Sequence, residues 1–247
     1  MKKLALSAFL LAGFMITSCD KNDDDTTPQN SDNSYLPVKI NDEDGIYSFK
    51  YDAQNRLIEM KSGDSETAYV LTTFTYSGDQ LTAVKETEVA PGYTGTEDYV
   101  FTYQNNKVTA KVTYTNSSGG NGNMTDVLTI DGNGRLTNYE EGNAFYDAKG
   151  NLTKIQSPYD EYTFEYDTKN GIFKNVKTPQ WVFVYVLDEH FMFKVNNAVK
   201  VSYKDLEENQ TYSQTISYTY NTADYPTKMI SVDEDNDTYT STIQYNK

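Results

Sequence analysis

Phe49-Lys50-Tyr51-Asp52-Ala53-Gln54-Asn55-Arg56-Leu57 decides how the rest of the chain is read. Phe49 and Tyr51 lie two apart, so in a strand they share one face while Lys50 takes the other. Asp52 is able to bond its own backbone two residues on, and Asn55 is of a type that tolerates positive φ. Leu57 then opens a return strand. The stretch is a hairpin whose type I turn is closed by a left-handed residue.

The same frame recurs at Leu128–Leu136 (LTIDGNGRL), Tyr146–Leu152 (YDAKGNL) and Phe164–Ile172 (FEYDTKNGI). Positive φ is therefore expected at Asn55, Gly134, Gly150 and Asn170. Looser copies lie at Phe74–Leu81, Phe101–Val108, Phe193–Val199, Tyr218–Tyr225 and the terminal Ile243–Asn246. Most copies follow one another at the length of two strands and two turns. No segment carries apolar residues at helical spacing. The chain of 247 residues, rich in Tyr (22) and Phe (11), suits one all-β domain. The expectation is about 14 to 18 antiparallel strands joined as hairpins over residues 35–247, forming a large curled sheet or a barrel-like closure, with helix almost absent.

The net charge is −15. Nucleic acid is excluded as a partner, because phosphate neutralisation needs clustered Lys and Arg. One Cys and one His leave no disulfide and no Cys/His zinc cluster. His190 lies in no catalytic motif and reads as a solvated turn residue. Asp233-Glu234-Asp235-Asn236-Asp237 has alternate acidic residues like a calcium loop. Thr238 stands where the loop needs Gly and Gln244 where it needs Glu, so a solvated turn is favoured. No metal, cofactor or catalytic residue is assigned.

The N-terminus carries an address. Met1-Lys2-Lys3 precedes the uncharged Leu4–Ile16 run. As a helix that run would span about 20 Å, short of the roughly 30 Å hydrocarbon core, so residues 1–18 read as a signal peptide. Ile16-Thr17-Ser18-Cys19 resembles the lipobox of bacterial lipoproteins, which implies lipidation of Cys19. Residues 19–34 then form a lipidated acidic tether without an apolar anchor of its own. Asp20-Lys21-Asn22-Asp23-Asp24-Asp25 resembles the acidic export signal of Bacteroidota surface lipoproteins. That resemblance implies the outer membrane, with the domain exposed at the cell surface.

The turn motif, with Asp52, Asp131, Asp147 and Asp167 leading it, resembles the YD repeat of Rhs-type proteins and teneurins. With the lipobox and tether, the chain is similar to a Bacteroidota surface lipoprotein family of unknown function with a porin-like β fold. The resemblance implies a fold and a location, and no catalytic residue. An integral barrel is disfavoured by the residues themselves. Thr109, Lys111 and Thr113 alternate with Val108, Ala110, Val112 and Tyr114, the pattern of one packed face and one wet face.

One stretch departs from the repeat. Trp181–Leu187 (WVFVYVL) is apolar on both faces and reads as a strand buried on both sides, returning through Phe191-Met192-Phe193. The functional reading makes Trp181 and Tyr185 an aromatic platform for a sugar ring. Together these features describe a non-catalytic cell-surface lipoprotein, held to the membrane by its lipid anchor, that binds a neutral glycan or a partner protein. A structural or envelope-assembly component without a small ligand is the alternative, and a glycan hydrolase the third reading.

Overall fold

The computed structural model describes residues 34–43, 45–63, 65–139, 142–187 and 194–247. The signal peptide, Cys19, the tether up to residue 33, His190 and the Phe191–Phe193 return lie outside the described residues. The first eight strands are β1 (Pro37–Asp42), β2 (Gly45–Tyr51), β3 (Leu57–Ser62), β4 (Tyr69–Ser77), β5 (Gln80–Ala90), β6 (Tyr93–Gln104), β7 (Lys107–Asn116) and β8 (Asn121–Ile130). β9 (Leu136–Tyr139), β10 (Gly142–Tyr146), β11 (Leu152–Gln156), β12 (Asp160–Tyr166), β13 (Ala198–Asp205), β14 (Gln210–Tyr220), β15 (Pro226–Val232) and β16 (Thr238–Tyr245) complete the set. Each strand pairs antiparallel with its chain neighbours, and β16 pairs with β1 through Ile40 and Ile243, so the sheet closes into a barrel. The all-β, hairpin-repeat architecture expected from the sequence is what the chain adopts.

The turns explain the repeat. Asp52 Oδ1 accepts the backbone N–H groups of Gln54 and Arg56, each at 2.9 Å. Asp131 and Asp147 make the same pair of bonds in their own turns. Asn55, Gly134 and Gly150 have φ of 65°, 71° and 96°, the left-handed geometry the spacing calls for. Asn170 does not. Asp167 N–H donates to the carbonyl of Asn197, and Asp167 Oδ1 accepts from the N–H groups of Lys169 and Asn197. Asn197 thus occupies the place that Arg56 holds in the first turn. The chain between Lys169 and Asn197 is an insertion at the left-handed position, so Asn170 and Ile172 no longer close a hairpin.

One tyrosine in each of five units has the same task. Tyr51 donates its hydroxyl to the carbonyl of Pro37, Tyr103 to Leu81, Tyr166 to Leu152 and Tyr218 to Ala198, at 2.6–2.7 Å. Tyr245 does the same to Pro226 at 3.0 Å. In every case the acceptor opens the preceding strand, or the turn-side end of it. The tyrosines thereby fasten neighbouring hairpins at one end of the barrel. Tyr146 stands at the equivalent place in β10, but its buried hydroxyl has no partner and Arg135 lies over its ring at 4.7 Å.

A sixteen-stranded barrel is too wide for wall side chains alone to fill. The insertion does the filling. It carries the helix α1 (Gln180–Tyr185), and Phe173, Val176, Trp181, Val182 and Phe183 are buried in one core with Phe49, Leu57, Leu81, Phe101, Val108 and Leu128 of the wall. Phe173 meets Phe49 edge-on at 5.3 Å, and Trp181 meets Phe101 at 4.9 Å. The Trp181–Leu187 stretch is therefore a short helix followed by a turn rather than a strand. Its two apolar faces are explained by wall on several sides of it, which satisfies helix and strand periodicities equally.

Candidate ligand site at the mouth of the barrel

The plug is tied to one end of the barrel. Lys177 N–H donates to Asn55 O, Thr178 Oγ1 accepts Leu57 N–H, and Gln180 Nε2 donates to Gly150 O. Asn175 Nδ2 donates to Tyr35 O and to the Tyr225 hydroxyl, and Asn170 Nδ2 to Ala223 O. All of these partners lie at the end that holds the Asp-led repeat turns and the entry of the chain into β1. The amine of Lys194 donates to Thr178 O at 2.6 Å beneath the Phe183 ring. Burial, and secondarily Lys177, pull that amine down to about 8.

The opposite end differs. Strand alternation puts Tyr114 and Tyr239 on the same face as the buried Val112 and Ser241, and Tyr212 on the same face as Ile216 and Tyr218, toward the lumen. They nevertheless remain 43%, 43% and 41% exposed. Gly122, opposite Tyr114, has no side chain, and the Tyr114 ring covers the space a Cβ would take. On the wall from β12 to β16, Tyr203 packs on Tyr162 at 4.9 Å and stacks on Tyr212 at 6.1 Å. Gln214 shares that inner face. The plug core does not reach these rings; Tyr162, Phe164 and Ala198 form a separate small cluster.

Charge is sorted between the two faces. The strand lysines point outward, and the outer wall pairs them directly across strands: Lys50 with Glu59, Lys85 with Asp98, and Lys200 with Glu165, at 3.3–3.7 Å. Facing the lumen, Glu86 stands directly opposite Glu97, and Asp160 directly opposite Asp205. Burial and then the Glu97 and Glu86 carboxylates push the Tyr99 hydroxyl up, and burial with Asp205 and Asp160 raises Tyr203. The inner face of the mouth is thus aromatic, polar and negative.

Trp181 is 1% exposed, and Tyr185 packs edge-on against Tyr99 at 6.4 Å while its hydroxyl donates to Asp126 Oδ2 at 2.5 Å. The two residues belong to the plug, where neither offers a free ring face; the exposed platform expected of them is not formed there, because the wall needs the plug as its core. Asp233 Oδ1 accepts from Asp235 and Asp237 N–H, and Asn236 has φ 65°, so that acidic stretch is one more Asx-type turn. Among the described residues no group of three or more His, Cys, Asp or Glu is arranged to hold a metal ion. Sequence reasoning missed Tyr203, Tyr212 and the facing carboxylate pairs. Their alternation was visible, but which inner positions stay wet depends on where the plug ends.

No family model and no curated protein matches the chain. Solved structures of porin-like proteins from Bacteroides vulgatus and Bacteroides uniformis are similar to it, each at 14% identity. Each comparison covers 86% of this chain, with 99% and 98% of the other, at TM-scores of 0.48 and 0.41. A likeness of that size says nothing about what either protein binds.

Proposed function

We propose that this protein is a non-catalytic, lipid-tethered envelope barrel that receives a ligand in the open mouth of its lumen. The observation that carries the reading is the exposure of Tyr114 and Tyr212, inward-facing rings in a lumen that is elsewhere filled. Aromatic faces with neutral hydrogen-bonding neighbours such as Gln214 suit a sugar or a polypeptide side chain. Two features argue against a pore. The plug occupies the other end, and the outer wall carries Lys50–Glu59 and Lys85–Asp98 ion pairs where a spanning barrel needs an apolar belt.

The tether supplies the geometry. Leu36 exchanges hydrogen bonds with Asn246 at the plugged end. A chain anchored through Cys19 would enter there, with the mouth directed away from the membrane. Cys19→Ser should move the protein from the membrane to the soluble fraction. Screening the full chain against glycans and peptides should give a ligand whose binding falls with Tyr212→Ala. A ligand bound equally well by that variant, or a Cys19→Ser protein still embedded in membranes, would overturn the reading.

A further inference from the structure

We propose that the plugged end of the barrel is a docking surface for anionic lipid headgroups, the face on which the domain rests against the membrane that holds its anchor. The inference rests on the lipid-tethered reading and adds to it a second contact with the same membrane, made by the folded domain itself.

Charge is sorted along the barrel axis. Lys107 and Lys149 stand at turns of the plugged end, and Lys174 and Lys177 on the plug segment that crosses it. All four are exposed. Among the described residues none of them pairs with a carboxylate, and the amine of Lys174 donates to Asn170 Oδ1 instead. The acidic residues of that end are occupied by their own turns and by the plug. Asp52 and Asp131 each hold the arginine four residues on, Asp147 accepts from Asn151 Nδ2, and Asp224 pairs with Lys169. Asp79, in the turn from β4 to β5, is the exposed exception. The opposite end carries the reverse charge. Asp205-Leu206-Glu207-Glu208 lies between β13 and β14, and Asp233-Glu234-Asp235 between β15 and β16. Among the described residues no Lys or Arg stands in any connection at that end.

The net charge of −15 is therefore not what a membrane meets at the plugged end. Strand β7, ten residues long, keeps the two ends about 25 Å apart even when tilted. Salt at about 0.1 M screens charge within about 10 Å. A headgroup layer against the plugged end thus feels the four lysines and little of the acidic rim. Each lysine that reaches such a layer strengthens binding about fivefold. The tether delivers them there. Leu36 is bonded to Asn246 at this same end, and a tether of about fifteen residues from Cys19 spans roughly 20 Å. The rim is repelled by the same anionic surface, which holds the mouth outward.

The test is co-sedimentation of the mature chain, residues 19–247 with Cys19→Ser, on vesicles of equal parts phosphatidylglycerol and phosphatidylcholine in 0.05 M salt. Binding should be at least tenfold tighter than to pure phosphatidylcholine and should be lost in 0.5 M salt. Lys107→Gln, Lys149→Gln, Lys174→Gln and Lys177→Gln together should weaken it at least tenfold. Lys50→Gln, Lys85→Gln, Lys111→Gln and Lys200→Gln make the same change in net charge on the side wall and should weaken it less than twofold. Equal losses from the two sets, equal binding to neutral vesicles, or binding that survives high salt would overturn the proposal. Release by millimolar inorganic phosphate at constant ionic strength would place a single-anion site at these lysines and overturn the docking surface as well. Intact mass of the wild-type protein separates this proposal from the reading beneath it. Acyl groups on Cys19 without a preference for anionic vesicles would keep the anchor and overturn the docking surface; the preference without acyl groups would keep the docking surface and overturn the anchor.

Discussion

The wall from β5 to β8 and strand β14 are made of the same repeat, yet they meet different interiors. Leu81, Val84, Tyr99, Phe101, Val108, Ala110, Val112 and Leu128 are all buried. Strand β14, with Tyr212, Gln214, Ile216, Tyr218 and Tyr220 facing inward, contains no buried residue at all. The first wall leans on the plug; the second leans on little beyond its neighbours. Alternation decides which side chains face inward, but the plug decides whether inward means dry. Where it is dry the positions are mostly aliphatic or Phe, with Tyr99 among them. On β14 they are mostly Tyr and Gln, residues with an apolar body or a hydrogen-bonding tip that tolerate both a ligand and water.

The contrast is sharpest in paired truncations. Trp181→Ala removes the largest buried side chain of the plug and should cost about 3–5 kcal/mol. Tyr212→Ala, of comparable chemistry on the bare wall, should change stability by no more than about 0.5 kcal/mol. Denaturant midpoints of the two variants check this. Similar losses would mean that β14 is held by its ring and that the lumen is one core after all.

Alkali should act on both walls through their tyrosines. Burial pushes the Tyr103 hydroxyl up to about 12, and pushes Tyr76 to the same value despite its bond to Thr178. Burial raises Tyr166, Tyr218 and Tyr245 as well. The unfolded chain loses these protons near pH 10, before the folded one does. Their contribution is thus fully present below about pH 10 and is lost as pH rises from there through the folded values. Tyrosinate absorbance should lag behind that of a denatured sample until the barrel opens. Full ionisation at ordinary pH with the fold intact would mean the hydroxyls are free.

Much of this was legible in the chain. The Asp52-to-Asn55 spacing announces a hairpin because Asx bonding and left-handed φ are local demands, met within five residues. Closure was not legible, since Ile40 and Ile243 meet only when every intermediate hairpin is counted. Asn170 was misread for an instructive reason. Asp167 starts the standard turn, but Asn197 finishes it, and a bond to a residue thirty positions away looks in sequence like one to a residue four away. Trp181 was misplaced because a segment surrounded by wall has no polar face, and periodicity then no longer separates helix from strand. The lumen site depended on both errors: without the plug, no inner position could be told wet from dry.

The repeat turn itself can be broken at a single atom. Gly134 has φ 71°, and a Cβ there would meet nothing within 4 Å. Gly134→Val is therefore free of clashes with the rest of the protein and isolates the backbone term, about 1–2 kcal/mol for a left-handed residue with a side chain. A β-branched residue tolerated without loss would show that this hairpin is fixed by Asp131 and not by its glycine.

A single hydroxyl bond gives a finer comparison of the two walls. Tyr103→Phe keeps the ring of the covered wall in place and removes only the 2.7 Å bond to Leu81 O; Tyr218→Phe does the same to Ala198 O on the bare wall. Each should cost about 1 kcal/mol, the net worth of a neutral hydrogen bond whose acceptor is left behind. The exposed Tyr159→Phe serves as the baseline. Leu81 and Ala198 are both fully buried, so either carbonyl must go unpaired and the two losses should be equal, which places the difference between the walls in their side-chain packing at the mouth. A markedly smaller loss from Tyr218→Phe, measured by the same denaturant series, would mean that water reaches Ala198 O and that the wet lumen extends to the fastened ends of the hairpins.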